Sequence, residues 1–371
     1  MGKYEKYLNE CIIINDMSPA DFNHIEDGQT RWIIEKIKTL KTNKKRISIL
    51  DYGCGKMRLF NALSQEEIEF EYVGIDFSSD QNIDRLVKEN KNCKFVKVED
   101  INKLERYSFD IVCLTNVIHE ISILEFSEIL MNIKLLIKQD GHFLLVDMSV
   151  LPHGELLGLP YYPYEIKELF SPVDYVFKTP NGYPIIACDI LESEIMMPHK
   201  IIKKLYFIIG RKREKLSYVA FDVLNKGGIK KFNEEYEQYN SRMSSDDLFG
   251  YINYLSGLAN YRLKEFLNTY EDNGKNEFYV DLVKLYIDTF DEYSKQLTIT
   301  EVYKSLYPKY TVLEITKKLN IALMQPSFFM LEKDKETLFA TDRLDYFLDN
   351  YTYEDLKKHG ISVMSAFCEI T

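Results

Sequence analysis

The chain has 371 residues, of which 46% are hydrophobic and 28% are charged, values typical of an ordinary soluble globular protein. This length predicts two domains rather than one. A net charge of −11 argues against a protein that coats nucleic acid with its whole surface, although it does not exclude a local basic groove.

The sequence lacks the signals of membrane and secreted proteins. It has no run of about 18 consecutive apolar residues, as a transmembrane helix would need, and its first residues lack the apolar core of a signal peptide. The six cysteines are widely spaced and none form a Cys-x-x-Cys pair, which argues against a disulfide framework or a zinc site. We therefore expect a cytoplasmic protein that does not bind membranes.

The first half of the chain alternates short apolar runs with helical patterns. After a polar, helical segment (1–45), strands are predicted at 47–50, 72–75, 95–98, 109–114 and 142–147, and helices at 56–66, 80–91 and 121–138. Strands that alternate with helices require crossover connections, so that we expect an α/β fold whose mostly parallel sheet is covered on both faces.

The pattern predicts that this sheet ends with a reversed strand. A helix at 163–170 is followed by strands at 174–178 and 184–192, and Pro180-Asn181-Gly182 is a turn signal between these two strands. Because strands joined by a tight turn are antiparallel, we expect a reversed strand at the edge of the sheet.

From about Pro198 the sequence shows long helical patterns, which predicts a mainly α-helical accessory domain at 196–371 after a first domain at 1–195. Near the end, apolar residues 328–331 and 337–340 flank a polar segment. This pattern fits either a β-hairpin beside a helix, as in a winged helix, or loops that cap a helical domain.

A glycine-rich turn follows the first predicted strand and precedes a helix, the context in which such a turn can bind a ligand. A dinucleotide-binding Gly-x-Gly-x-x-Gly pattern fails, because Arg58 occupies the place of its third glycine. The alternative pattern has an acidic residue two positions before the first glycine. Asp51-Tyr52-Gly53-Cys54-Gly55 supplies it.

Ile49-Leu50-Asp51-Tyr52-Gly53-Cys54-Gly55 resembles the first motif of the class I S-adenosylmethionine-dependent methyltransferases, and the resemblance extends over residues 47–192. It implies a Rossmann-like fold, S-adenosylmethionine as the cofactor, and methyl transfer as the activity. The family pattern usually has a further glycine where this chain has Met57.

The resemblance also assigns cofactor-binding roles. It places the ribose hydroxyls on the acidic residue that ends the second strand, and the adenine amino group on an acidic residue after the third strand. A carboxylate suits both tasks because it accepts several hydrogen bonds. The implied cofactor-binding residues are Asp51, Gly53, Cys54, Gly55, Asp76, Phe77, Glu99, Asp100, Ile101, Thr115 and Asn116.

His119 is the one candidate for a catalytic residue. It lies just after the fourth predicted strand, where relatives present side chains to the substrate, and an imidazole titrates in the range suited to a general base. The alternative is that His119 caps or packs against the next helix. The other histidines considered (His142, His153 and His199) have no partners at metal-ligand spacing, so we assign no metal.

The densest basic cluster runs from Lys200 to Lys215 and includes the aromatic residues Tyr206 and Phe207. Such a cluster can dock RNA through phosphate contacts and stacking, or it can be the solvated face of a helix. Three hypotheses follow: a methyltransferase for a small molecule or protein side chain, an RNA methyltransferase, and a non-catalytic cofactor-binding scaffold. The C-terminal helices are a candidate surface for a homo-oligomer or a protein partner.

Overall fold

The structure is a computed structural model of the chain. It describes residues 28–40, 46–149, 151, 158–170, 175–178, 184–224, 245–268, 276–289, 297–324, 328–332 and 336–359. The predicted turn at Pro180-Asn181-Gly182 and most of the predicted N-terminal helical segment lie outside the described residues.

The chain forms two compact units. The first comprises residues up to 196 together with 200–264, and the second comprises 197–199 and 265–371. The helices of residues 200–264 therefore group with the first half, although the sequence analysis assigns them to the accessory domain.

The first unit is built on one seven-stranded sheet. Its elements are α1 (Gly28–Leu40), β1 (Ile47–Tyr52), α2 (Arg58–Leu63), β2 (Phe70–Asp76), α3 (Gln81–Glu89), β3 (Cys93–Lys97), a 3-10 helix (Val98–Lys103), β4 (Phe109–Thr115), α4 (Ile123–Leu136), β5 (Ile137–Met148), α5 (Pro163–Leu169), β6 (Tyr175–Lys178), β7 (Pro184–Leu191), a 3-10 helix (Glu192–Glu194), α6 (Pro198–Leu224) and α7 (Ser245–Asn268).

The strand order is β3-β2-β1-β4-β5-β7-β6. The first five strands are parallel, whereas β7 runs antiparallel to both of its neighbours. The predicted α/β, Rossmann-like sheet with an antiparallel last strand is thus confirmed. The reversed strand differs in position, because β7 lies between β5 and β6 rather than at the edge. A tight connection fixes the direction of neighbouring strands but not which of them borders the rest of the sheet.

The central strands carry nearly continuous runs of buried side chains, which cover both faces of the sheet. On one face, the α1 stripe of Trp32, Ile33 and Ile37 packs with α2 and the inward residues of β1, β2 and β4. On the other face, the rings of Phe126 and Phe143 both contact that of Phe170. The carboxyl ends of the parallel strands are therefore held rigidly at one edge, as binding sites of α/β sheets require.

The second unit is described by itself. It contains α8 (Glu277–Asp288), β8 (Leu297–Thr298), α9 (Ile299–Leu306), α10 (Val312–Met324), β9 (Phe329–Leu331), β10 (Thr337–Ala340), α11 (Asp342–Asn350) and α12 (Tyr353–His359). β9 and β10 form the β-hairpin considered in the sequence analysis, and β8 pairs with β10 to give a three-stranded antiparallel sheet. The hairpin follows α10 and precedes α11 in the chain.

Asp189 on β7 ties α1 to the reversed end of the sheet. Its carboxylate accepts a hydrogen bond from Nδ1 of His142 at 2.7 Å and one from Nζ of Lys36 at 3.3 Å. Burial by itself would raise the pKa of Asp189, but the His142 hydrogen bond and the nearby charges of His142 and Lys36 lower it below its ordinary value. The ionised carboxylate therefore stabilises the folded state.

We expect Asp189→Asn to lower the free energy of unfolding by about 1–2 kcal/mol at pH 7, because a charge-assisted pair at a partly exposed site is lost. A lowered pKa in the folded state stabilises the protein above the ordinary carboxyl range and loses this effect as the pH falls through the lowered pKa. Urea unfolding at several pH values should show a deficit at pH 7 that persists to about pH 5 and shrinks below about pH 4. Glu67→Gln, at an exposed carboxylate, is the control; a deficit that persists unchanged in acid would contradict this account.

Candidate functional site

The glycine turn after β1 is fastened to the end of β2. The backbone N–H groups of Gly53 and Cys54 both donate to the carbonyl oxygen of Ile75, at 2.8 and 3.0 Å. Gly53 and Gly55 have φ angles of 73° and 49°, in the left-handed region that favours glycine. A Cβ on Gly53 would lie 2.5 Å from Cγ2 of Val117, so no larger residue fits there without a rearrangement.

Gly55 has open space beside it. Among the described residues other than Gly55 and its two chain neighbours, no atom lies within 4 Å of where its Cβ would stand. Met57, which occupies the place of the family's further glycine, itself adopts a left-handed φ of 56°. Its fully buried side chain packs under the turn, with Sδ 4.0 Å from Sγ of Cys93. The turn thus keeps the backbone path of a glycine-rich motif, at a conformational cost of about 1–2 kcal/mol that side-chain burial offsets.

Asp76 faces the turn from the end of β2. Its Oδ2 accepts a hydrogen bond from the Gly55 N–H at 2.8 Å, and its Oδ1 accepts one from the Phe77 N–H at 2.7 Å. Each carboxylate oxygen retains acceptor capacity beyond these bonds. The Phe77 side chain is 77% exposed beside it. A carboxylate in this position can hold a diol, and the adjacent exposed ring can cover a flat ligand group.

Asp51 lies beneath the turn, at the end of β1. It is only 3% exposed, and its Oδ2 accepts a hydrogen bond from the Tyr72 hydroxyl at 2.6 Å. Burial raises the pKa of Asp51 to about 6, against the opposing effects of the Tyr72 hydrogen bond and the charge of Arg58. Tyr72 contacts the candidate site and was not predicted from the sequence, since a tyrosine within an apolar strand looks like an ordinary core residue.

The predicted adenine end lies on the 3-10 helix after β3. Asp100 pairs with Lys103 at 2.7 Å, and Glu99 lies 3.9 Å from Lys97 with its side chain largely exposed. Ile101 is buried. Asp100 is thus the less exposed of the two acidic candidates, with a polar surface around it and an apolar neighbour beneath.

Two more predicted residues end β4. Oγ1 of Thr115 is buried and has no hydrogen-bond partner among the described residues. Asn116, with a left-handed φ of 56°, exchanges two side-chain hydrogen bonds with Gln29 of α1, at 3.0 and 2.7 Å. Gln29 lies 87 positions earlier in the sequence, and no local pattern marks it as a site residue.

His119 lies on the turn after β4 and forms a pair with Asp147 at the end of β5. Nδ1 of His119 is 2.6 Å from Oδ1 of Asp147, and His119 is only 1% exposed. The carboxylate also accepts the backbone N–H groups of Ile118 and Met148, at 3.0 and 2.6 Å. Because the ionised carboxylate can only accept, the His119 proton lies on Nδ1 and Nε2 is the basic nitrogen.

Residues outside the β4–β5 region fix the His119 turn. Nη2 of Arg262 on α7 donates to the carbonyl oxygen of His119 at 2.6 Å, and the Leu159 N–H donates to the same oxygen at 2.7 Å. Neither Asp147 nor Arg262 was predicted from the sequence as a residue of the site. An acidic residue at the end of β5 was a weak signal for Asp147, whereas nothing in the local sequence indicates Arg262.

The structure thus brings the predicted residues together along one edge, on the carboxyl ends of the adjacent strands β3, β2, β1 and β4, with the His119–Asp147 pair beside them on β4 and β5. Within the described ranges, no cluster of His, Cys, Asp or Glu could hold a metal ion. None of the helices in the described part of the chain is both long and apolar enough to span a membrane.

A family model described as a methyltransferase domain matches residues 43–171. No curated protein matches the chain. Among solved structures, the chain is similar to the CMeT domain of a citrinin polyketide synthase, with 22% identity over 44% of this chain and 51% of that one, and a TM-score of 0.35. The alignment thus spans about half of that structure.

Two further solved structures show a similarly low sequence identity and TM-score. A Burkholderia thailandensis 1,6-didemethyltoxoflavin-N1-methyltransferase, solved with S-adenosylhomocysteine, is 16% identical over 50% of this chain and 84% of that one, with a TM-score of 0.38. A SAM-dependent methyltransferase from Aquifex aeolicus is 18% identical over 47% of this chain and 100% of that one, with a TM-score of 0.33. Similarity this low supports neither a substrate nor an activity for this chain.

The family match begins just before β1 and ends after α5, so that it includes the glycine turn, Asp76, the 3-10 helix and the His119–Asp147 pair. Residues 43–171 therefore match a methyltransferase domain, and the Rossmann-like sheet agrees with the resemblance of this segment to the class I S-adenosylmethionine-dependent methyltransferases.

Proposed function

We propose that the chain transfers a methyl group from S-adenosylmethionine to a small molecule or protein side chain that gives up a proton. The observation that supports this most is the buried His119–Asp147 pair beside the Asp76 end of the sheet. One edge of the sheet would thereby combine a nucleoside-binding carboxylate with a base.

The residues at the edge fit this cofactor. Asp76 can accept both ribose hydroxyls, the open space at Gly55 admits a ligand close to the backbone, and the unpartnered Oγ1 of Thr115 offers a polar contact. Asp100, or Glu99 beside it, would take the adenine amino group. Bound here, S-adenosylmethionine supplies an electrophilic methyl group and leaves as S-adenosylhomocysteine.

His119 would take the proton that the acceptor loses as it is methylated. Asp147 holds the imidazole in the tautomer whose Nε2 is basic, and it stabilises the imidazolium that forms. Nε2 lies 3.8 Å from Oε1 of Glu120, whose side chain is largely exposed.

The RNA hypothesis has less support, because much of the basic cluster at Lys200–Lys215 is engaged within the protein. Lys212 is buried and pairs with Glu165 at 2.7 Å, with its Nζ 3.7 Å from the Tyr162 ring. Arg211 and Lys204 both bond to Glu168, each at 2.6 Å. These pairings favour a cluster that is used for contacts within the protein, and retention of RNA by the purified protein at low salt would be needed to revive the alternative.

The cofactor site can be tested without knowing the acceptor. We expect Asp76→Ala to weaken the binding of S-adenosylhomocysteine by about 1–3 kcal/mol, because ligand hydroxyls would lose their acceptor. Calorimetric titration measures this change, with NAD as a control ligand that should not bind. Glu71→Ala, which removes a carboxylate from the other end of β2, should bind like the wild type. Equal affinity in both variants would refute the assignment of Asp76.

The base can be tested by turnover. We expect His119→Gln and Asp147→Asn each to reduce methyl transfer by about 10²–10⁴-fold and to leave S-adenosylhomocysteine affinity nearly unchanged. In Asp147→Asn, the new side-chain amide would donate to Nδ1 of His119 and move the proton to Nε2. The assay follows the labelled methyl group of S-adenosylmethionine into a panel of phenols, carboxylic acids, amines and peptides.

His142→Gln is the matched control, since His142 also pairs with an aspartate but lies away from this edge. Unchanged turnover in His119→Gln, or its failure to fold, would support the packing role of His119. Cofactor binding with no transfer to any acceptor in the wild type would favour the non-catalytic scaffold.

A further inference from the structure

We propose that Tyr72 is a positioning residue for cofactor binding: its phenol keeps the buried Asp51 carboxylate ionised and oriented beneath the glycine turn, so that cofactor affinity falls in mild acid as Asp51 is protonated. The inference rests on the proposed function, because it assumes that the cofactor binds beside this turn.

The geometry sets the pair apart from ordinary core contacts. In the β1–β2 register, Asp51 lies opposite Gly74 and Tyr72 lies opposite Ile49, so that Tyr72 and Asp51 are diagonal neighbours on one face of the sheet. Their oxygens are 2.6 Å apart, a length typical of a hydroxyl that donates to a carboxylate. The Tyr72 ring packs against Phe60 with centroids 5.3 Å apart, which fixes the direction of its hydroxyl.

Both members of the pair are closed off from water. Asp51 is 3% exposed and Tyr72 is 1% exposed, so the carboxylate depends on protein groups for its hydrogen bonds. The Tyr72 hydroxyl is its one side-chain hydrogen-bond donor among the bonds described. A buried carboxylate with a single side-chain hydrogen bond lowers the stability of the fold, so its presence points to a role for its charge.

Among the buried groups that surround it, Asp51 is the one whose pKa lies near neutral pH. Arg58 of α2 attracts its charge, and Asp76 of β2 repels it. Burial raises the pKa of Asp51 to about 6. Burial also raises the pKa of the remaining neighbours, which stay neutral in this range: Tyr72, the Cys54 thiol, the Cys113 thiol of β4 and the Cys93 thiol of β3.

The ligand carries the complementary charge. S-adenosylhomocysteine and S-adenosylmethionine both have an ammonium group at their amino-acid end. The inference places this ammonium group beside the glycine turn. A cation there favours the ionised form of Asp51, so that binding at pH 6 should release a proton, and protonation should weaken binding. The raised pKa of Asp51 places this loss in the range between about pH 5 and 7.

The test is calorimetric titration of the full chain with S-adenosylhomocysteine from pH 5 to 8.5, in two buffers that differ in ionisation enthalpy. In the wild type we expect constant affinity above about pH 7 and a decline approaching tenfold per pH unit below about 6, with proton release. Tyr72→Phe removes the donor that favours the carboxylate, so its decline should begin about one pH unit higher, with near wild-type affinity at pH 8.5.

Tyr52→Phe is the matched control. Tyr52 is the buried tyrosine next to Asp51 in sequence, but its hydroxyl bonds to Asn132 rather than to Asp51. Its profile should follow the wild type. If Tyr72→Phe does not fold, Asp51→Asn replaces it, and this variant should bind weakly with an affinity that does not change between pH 5 and 7.

The outcomes separate the two proposals. No binding of S-adenosylhomocysteine by the wild type at pH 8 would overturn the proposed function. Binding that is intact at pH 8 and equally strong at pH 5 would overturn only this inference. Two other results would also overturn this inference. One is the same dependence of affinity on pH in the wild type and Tyr72→Phe, and the other is an affinity that still declines in acid in Asp51→Asn.

Discussion

The site depends on the attachment of the glycine turn to the end of β2. The Ile75 carbonyl accepts two consecutive N–H groups of the turn, and Asp76 accepts a third from Gly55. These bonds satisfy backbone groups that a tight, partly buried turn would otherwise leave unpaired, which would be costly in a folded protein. They also fix the positions of Asp51 and Asp76 on adjacent strands, so the arrangement of charge at the edge follows from backbone bonding.

A second set of contacts fixes His119 and Asp147 at the carboxyl ends of β4 and β5. Asp147 receives three hydrogen bonds, two of them from backbone N–H groups, and its direction toward His119 is therefore fixed before any ligand binds. Arg262 and Leu159, which lie far apart in the sequence, both donate hydrogen bonds to the His119 carbonyl oxygen. Preorganised groups of this kind avoid the cost of ordering a side chain during a reaction.

Much of this arrangement could be predicted from the sequence because parallel strands place their carboxyl ends at one edge. The glycine turn, Asp76, Asp100 and Asn116 each follow a recognisable strand, so local periodicity places them at strand ends, and the resemblance to the family implies their roles. The order of the last two strands could not be predicted, since a tight turn fixes direction but not which strand pairs with β5.

The contacts of the site that depend on tertiary structure could not be predicted. Asp147 is 28 positions from His119, Gln29 is 87 from Asn116 and Arg262 is 143 from His119. Nothing in local hydrophobic patterning encodes a pairing at such separations. Met57 shows the opposite case, because it departs from the glycine motif and yet takes a glycine-like φ, which side-chain burial makes tolerable.

The double hydrogen bond between Gln29 and Asn116 and the Arg262 contact have a consequence for where the domain begins and ends. Gln29 and Arg262 lie outside the segment that matches the methyltransferase family model, one before residue 43 and the other after residue 171. A fragment cut at those boundaries would keep every motif and still lose the groups that hold Asn116 and the His119 turn in place. The segment that matches the family model is therefore shorter than the fragment that would have to be expressed to keep these contacts.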